Sequence, residues 1–179
     1  MVEHQRYTGS MIGSGGDVKI RKCIAADAAA LCDVFQESWR LSYRGIIPHF
    51  ELEAILQRRG REWWAHQLRS GDGGLVIEVA GAVAGYATFG HARGRHRYEG
   101  EIYELYLGPT YQGLGFGEHL FEACRHALDE RRYRGLVVWA LSDNTPAVDF
   151  YWRRGGRPFA QAYDNVGGAR LHKVGFGWA

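Results

Sequence analysis

The chain has 179 residues, 46% of them hydrophobic and 13% aromatic, with a formal net charge of +2 at pH 7. That composition supports a buried core and excludes a disordered chain, and so small a charge excludes nucleic-acid or membrane binding driven by bulk electrostatics. No apolar run reaches the roughly 20 residues that cross a bilayer. The cysteines Cys23, Cys32 and Cys124 lack C-x-x-C spacing, which predicts buried thiols in a cytoplasmic setting, with no disulfide frame and no metal site.

Residues 1–17, rich in glycine and serine, are predicted to be a flexible leader, and 18–179 one domain. A short strand over 18–24 comes first. Asp27 is placed to cap a helix to about residue 40, in which Ala30, Leu31, Val34, Phe35 and Ser38 recur at helical spacing. Tyr43, Arg44, Gly45, Ile46, Ile47 and Pro48 form a break before a second helix over 50–69. Glycines at 71, 73 and 74 mark a turn. Strands over 75–80 and 82–90 flank Gly81 as a hairpin. The loop over 91–100 carries Arg93, Arg95 and Arg97, a local basic patch that reads as a solvated rim rather than an RNA contact.

A strand over 101–107 leads into a glycine-rich turn and a helix over 115–131, then an apolar strand over 135–141. Asn144 is placed to cap a last helix, which tolerates Pro146 in its first turn and ends at Gly155 and Gly156. Strands over 157–165 and 169–175 close the chain. The order β α α β β β α β α β β predicts an α/β fold with a mixed central sheet of about seven strands and helices on both faces.

The turn Tyr111, Gln112, Gly113, Leu114, Gly115, Phe116, Gly117 carries the most chemistry. A glycine turn opening a helix leaves backbone N–H groups unpaired at the positive end of the helix dipole, which is an anion site. The nucleotide motifs fail here. Glu118 and His119 follow Gly117 where a phosphate-binding loop needs Lys and then Ser or Thr, and the glycines run G-x-G-x-G where a dinucleotide fingerprint needs G-x-G-x-x-G.

Gln112, Gly115 and Gly117 resemble instead the acyl-CoA loop of the GNAT acetyltransferase superfamily. Asn144, Ala147, Phe150 and Tyr151 before Gly155 resemble that family's second block, although Gly156 stands where many members have Phe. Ser38, Trp39 and the run Tyr43, Arg44, Gly45, Ile46, Ile47, Pro48 resemble a subgroup in which the first two helices are joined this way. Gly167, Gly168 and Leu171, with Val174 to Trp178, resemble that subgroup's last strand.

The resemblance implies an acetyl-CoA-dependent N-acetyltransferase acting on a primary amine of a small molecule or peptide by direct attack in a ternary complex. It implies no metal, nucleic acid or membrane, and an expected homodimer. The backbones of Leu105, Tyr106 and Leu107 would pair with the pantetheine arm like an added strand. The amides of Gly113, Leu114, Gly115, Phe116 and Gly117 would hold the pyrophosphate, beside Gln112. Asn144, Ala147 and Phe150 would line the arm, and a backbone N–H near Leu107 would stabilise charge on the thioester oxygen. Tyr151 would protonate the leaving thiolate. Glu101, whose position matches a subgroup acid, is preferred as base, with Glu104 second. Strand alternation sets Glu101, Tyr103 and Leu105 on one face and Ile102, Glu104 and Tyr106 on the other, unless the bulge this family carries there shifts the phase. Trp39, Tyr43, Arg44 and Tyr86 would shape the acceptor pocket, where an aromatic wall with one Arg suits an amine that also bears a carboxylate. The alternative is a non-catalytic acyl-CoA sensor on the same fold.

Overall fold

The computed structural model describes residues 17–70, 74–166 and 168–179. The leader up to residue 16, the turn residues 71–73 and Gly167 lie outside the described residues. The strands are β1 (Val18–Lys22), β2 (Gly74–Val79), β3 (Ala82–His91), β4 (Gly100–Leu107), β5 (Leu136–Leu141), β6 (Arg157–Val166) and β7 (Ala169–Trp178). They form one sheet in the order β1-β2-β3-β4-β5-β7-β6. Every pairing is antiparallel except β4 with β5.

The helices are α1 (Ala28–Tyr43), α2 (His49–Arg58), α3 (Arg61–Ser70), α4 (Phe116–Glu130) and α5 (Thr145–Arg153). In α1, of the residues expected on one face, Leu31, Val34, Phe35 and Ser38 are buried and Ala30 is half-buried; joined by Cys32, the apolar ones pack with Trp64 of α3 and Tyr86 of β3 on one face of the sheet. On the other face Leu120, Phe121, Cys124 and Leu128 of α4 and Tyr151 of α5 cover Ile77, Phe89, Ile102 and Val138. At about 1.5–3 kcal/mol for each large apolar side chain buried, these two layers dominate stability.

Two expectations are corrected. The second helix is interrupted: α2 ends at Arg58, Arg59 leaves helical geometry at φ −97° and ψ 46°, and α3 starts at Arg61. The side chain of Arg59 is drawn into the interior, as described below. Asp27 is the N-cap residue of α1 as expected, but its side chain makes no capping bond: it ends a short 3-10 turn, and its carboxylate accepts from the Ile24 N–H and binds Arg21 on β1. The hairpin at Gly81 forms as a two-residue turn, with Ala80 and Gly81 both at positive φ.

The faces of β4 also differ from simple alternation. Thr88 pairs with Glu104 and Phe89 with Ile102, so Tyr103 is one residue extra. The bulge reverses the phase. Ile102, Leu105 and Leu107 all turn to the α4 side, and Glu104 and Tyr106 turn to the α1 side.

Candidate active site

Strands β4 and β5 part company in mid-sheet. They pair at Gly100–Leu136, Glu101–Val137 and Ile102–Val138, and no further. Beyond that point β4 keeps β3 as far as Leu107, and β5 keeps β7 as far as Leu141. A wedge therefore opens whose β4 wall, residues 103–107, lacks a strand partner on that side. Such an edge offers backbone donors and acceptors to an extended ligand, as an added strand would.

The glycine turn lies at the end of that wall. Gly113 (φ +75°) and Gly115 (φ +86°) adopt left-handed geometry that other residues resist, and Gly115 is the N-cap of α4. Among the described residues, no backbone or side-chain acceptor takes the N–H groups of residues 113–117. Five donors thus stand unpaired at the positive end of a 15-residue helix, where an anion is favoured. Gln112 donates from Nε2 to the Leu107 carbonyl at 3.1 Å, and Ser38 Oγ donates to the same oxygen at 2.8 Å, so α1, β4 and the turn share one anchor. A Cβ on Gly117 would stand 3.3 Å from the Phe150 ring and 3.5 Å from Leu107, which shows how closely α4, α5 and β4 approach.

Glu104 lies where β4 has left β5. Arg59 grips both of its carboxylate oxygens, with Nη2 to Oε2 at 2.9 Å, and Tyr86 donates its hydroxyl to Oε2 at 2.9 Å. The guanidinium sits in an aromatic box, 4.1 Å from the Phe35 ring centre, 4.3 Å from Trp63 and 4.9 Å from Trp64. Burial alone would depress the Arg59 pKa, but its bonds to Glu104 leave it raised. Glu101 is placed differently. It is buried, in the part of β4 still paired on both sides, and Arg93 occupies it with its backbone N–H (2.8 Å), Nε (3.2 Å) and Nη2 (2.8 Å). The expected basic patch is therefore partly spent on an internal carboxylate.

Tyr43 closes one side of the wedge. Its hydroxyl is 2.8 Å from that of Tyr106. Burial pushes the Tyr43 phenol pKa up, against hydrogen bonds from Tyr106 and Asn144 that pull it down. Asn144 also caps α5, its side-chain oxygen accepting from the Ala147 N–H at 3.4 Å. Tyr151 stands between the aromatic rings of Phe121, Phe150, Phe176 and Trp178. Its hydroxyl makes no hydrogen bond among the described residues, and burial raises its pKa, with the neighbouring Tyr43 and Cys124 pushing the same way.

Of the residues expected to shape the acceptor pocket, Trp39 and Tyr43 meet edge to face at 4.8 Å beside Tyr106. Arg44 is exposed at the turn after α1, and Tyr86 is fully enclosed, serving Glu104 rather than an open surface. Sequence reasoning missed Arg59 and the bond from Ser38 to Leu107. The signal for Arg59 was its place before Gly60 and the pair Trp63 and Trp64. Gly156 also finds its reason: a Cβ there would lie 2.6 Å from the Trp178 indole, which fills the space a Phe would take.

The fold has known counterparts. Relatives include an uncharacterized N-acetyltransferase, YuaI, of Bacillus subtilis, 30% identical over 163 residues covering 90% of this chain and 92% of that protein. The phosphinothricin N-acetyltransferase of Streptomyces viridochromogenes is 28% identical over 169 residues, covering 89% and 85%. The structure of yncA from Salmonella typhimurium with its cofactor acetyl-CoA shares the fold at a TM-score of 0.65 and 22% identity, covering 90% of this chain and 93% of that one. The model of the acetyltransferase (GNAT) family matches residues 29–156, from α1 to the end of α5, and the chain belongs to that family.

Proposed function

We propose that the protein transfers the acetyl group of acetyl-CoA to a primary amine of a small molecule or peptide by direct attack in a ternary complex. The observation that carries this reading is the wedge between β4 and β5, with the unpaired N–H groups of residues 113–117 beyond the end of its β4 wall and Glu104 on that wall. Acetyl-CoA, when bound, supplies an acyl group activated as a thioester. The turn amides would hold its pyrophosphate. The free edge of β4 at Leu105, Tyr106 and Leu107 would pair with the pantetheine arm, beside Asn144, Ala147 and Phe150. Small residues at 113, 115 and 117 fit this role, since side chains there would obstruct the approach.

Within that frame Glu104 is the better base. A carboxylate offers about four lone-pair sites, and Arg59 and Tyr86 take three of those on Glu104. One Oε1 site remains to take the amine proton, directly or through a water. Glu101 is sealed under Arg93 in the paired part of the sheet, and its role is to hold the loop after β3. Tyr151, protonated well past neutral pH, would protonate the departing thiolate. The three unpaired cysteines accord with a cytoplasmic location, and the edge strand β6 offers a homodimer contact.

The test is CoA release from acetyl-CoA across amino acids, polyamines, aminoglycosides and peptides. Turnover of at least one class with a primary amine, lost in its N-blocked form, is expected. Tight acetyl-CoA binding without release from any of them would instead make the protein an acyl-CoA sensor.

A further inference from the structure

We propose that the cavity at the turn between α1 and α2 is a subsite for an anionic group on the acceptor, so that the amines this protein acetylates carry a carboxylate or phosphate-type group. The inference rests on the acetyl-transfer reading above and names its substrate class. The cavity measures about 540 Å³, and the titratable side chains lining it are Arg40, Arg44, His49 and Glu53. Its single acid is already neutralised: Arg40 Nε and Nη2 each donate to a Glu53 oxygen at 3.1 Å. Arg44 is surplus. Among the described residues its guanidinium has no hydrogen bond or ion pair, and it shares the cavity with Ile47 and Leu52, whose side chains are buried in the core. A guanidinium beside an apolar floor, with the cavity's one carboxylate already taken by Arg40, is a bidentate site for an incoming carboxylate or phosphate.

The subsite is tied to the reaction centre by the backbone. Tyr43, one residue before Arg44, reaches Tyr106 on β4. The Ile46 and Ile47 N–H groups both donate to the Tyr43 carbonyl at 3.0 Å, Arg44 bridges to Ile47, and Gly45 takes φ +82° to close the turn. The two side chains thus diverge from a fixed turn, one toward the wedge and one into the cavity. An acceptor spanning both would be oriented by its anion while its amine faces Glu104. A neutral amine would lack that second point of attachment.

Matched acceptors test this: 4-aminobutyrate against butylamine, an α-amino acid against its amide, and phosphoethanolamine against ethanolamine. Turnover with acetyl-CoA and calorimetric binding to the protein–CoA complex are both measured, for the natural chain, Arg44→Gln and Arg44→Glu. The anionic member of at least one pair is expected to be favoured by about tenfold or more in kcat/KM, the worth of one good charge-assisted contact. Arg44→Gln should abolish that preference through KM, and Arg44→Glu should shift preference toward a diamine such as cadaverine. Whichever pair loses most identifies carboxylate or phosphate as the partner. Equal handling of both members of every pair, or changes at Arg44 that move both equally, would overturn the subsite. Anion-selective binding that depends on Arg44 without acetyl transfer would uphold the subsite and overturn the transferase reading instead.

Discussion

Arg59 and Glu104 form a two-pronged ion pair between the break after α2 and the free wall of β4, each with only 17% of its side chain exposed. Removing one partner of such a pair leaves a buried charge unmatched, which costs about 3–5 kcal/mol, far more than a surface pair is worth. Arg59→Met should therefore lower unfolding stability by that order in urea titration. The double change Arg59→Met with Glu104→Gln should lose less than the sum of the singles. Strict additivity would show that the two side chains do not act together.

Glu104 and Glu101 should separate by readout. Glu104→Gln, assayed well below its melting temperature, should lower kcat by about a hundredfold or more, as loss of a general base does. Glu101→Gln should instead lower the melting temperature, because Arg93 loses its charged acceptor, while kcat stays within a few-fold. A large kcat loss in Glu101→Gln with unchanged melting would assign the base to Glu101.

Tyr151 gives a prediction about pH. Its pKa is raised from an ordinary value of 10.0, mainly by burial, so the folded protein holds the phenol protonated to higher pH than a free tyrosine. A raised folded pKa contributes stability that is complete below about pH 10 and is lost as pH rises above it. The kcat profile should show no falling limb from this group up to pH 10. Tyr151→Phe should lower kcat with little change in KM or in melting, since the hydroxyl has no partner to lose. A Tyr151→Phe protein as active as the natural one would remove it from the mechanism.

Gly115 separates backbone conformation from bulk. A Cβ there meets nothing within 4 Å, yet φ is +86°. Gly115→Ala should strain the turn by about 1–2 kcal/mol and weaken acetyl-CoA binding by roughly tenfold, read by calorimetry. Unchanged affinity would mean that the turn amides do not carry the pyrophosphate.

Most of the fold was legible because local rules and long-range packing agree. The stripe Leu31, Val34, Phe35 and Ser38 is both helical in spacing and buried, and Asn144 caps the helix it precedes. The illegible parts depend on partners distant in sequence. Gly60 marks a weak point in the helix, but nothing local at residues 58–61 names Glu104, 45 positions on, as the partner of Arg59. The bulge in β4 was allowed for from the resemblance, but its place at Tyr103 shows only in the register with β3. The left-handed turns at Gly113 and Gly115 were readable from the glycines themselves. The locking of Glu101 by Arg93 was hidden, because a loop arginine and a strand glutamate carry no mark of pairing.

Trp178 has a reach beyond its own strand. Its indole Nε1 donates to the Arg154 carbonyl at 2.8 Å, and its ring occupies the space over Gly156, where the end of α5 is closed by Gly155 and Gly156 donating back to Trp152 and Tyr151. The helix that Asn144 caps and that carries Tyr151 is thus pinned at its far end by a residue of β7. The helix therefore depends on a strand that carries none of the proposed catalytic groups: a chain folded without β7 would hold every one of them and still lack the clamp at the end of α5.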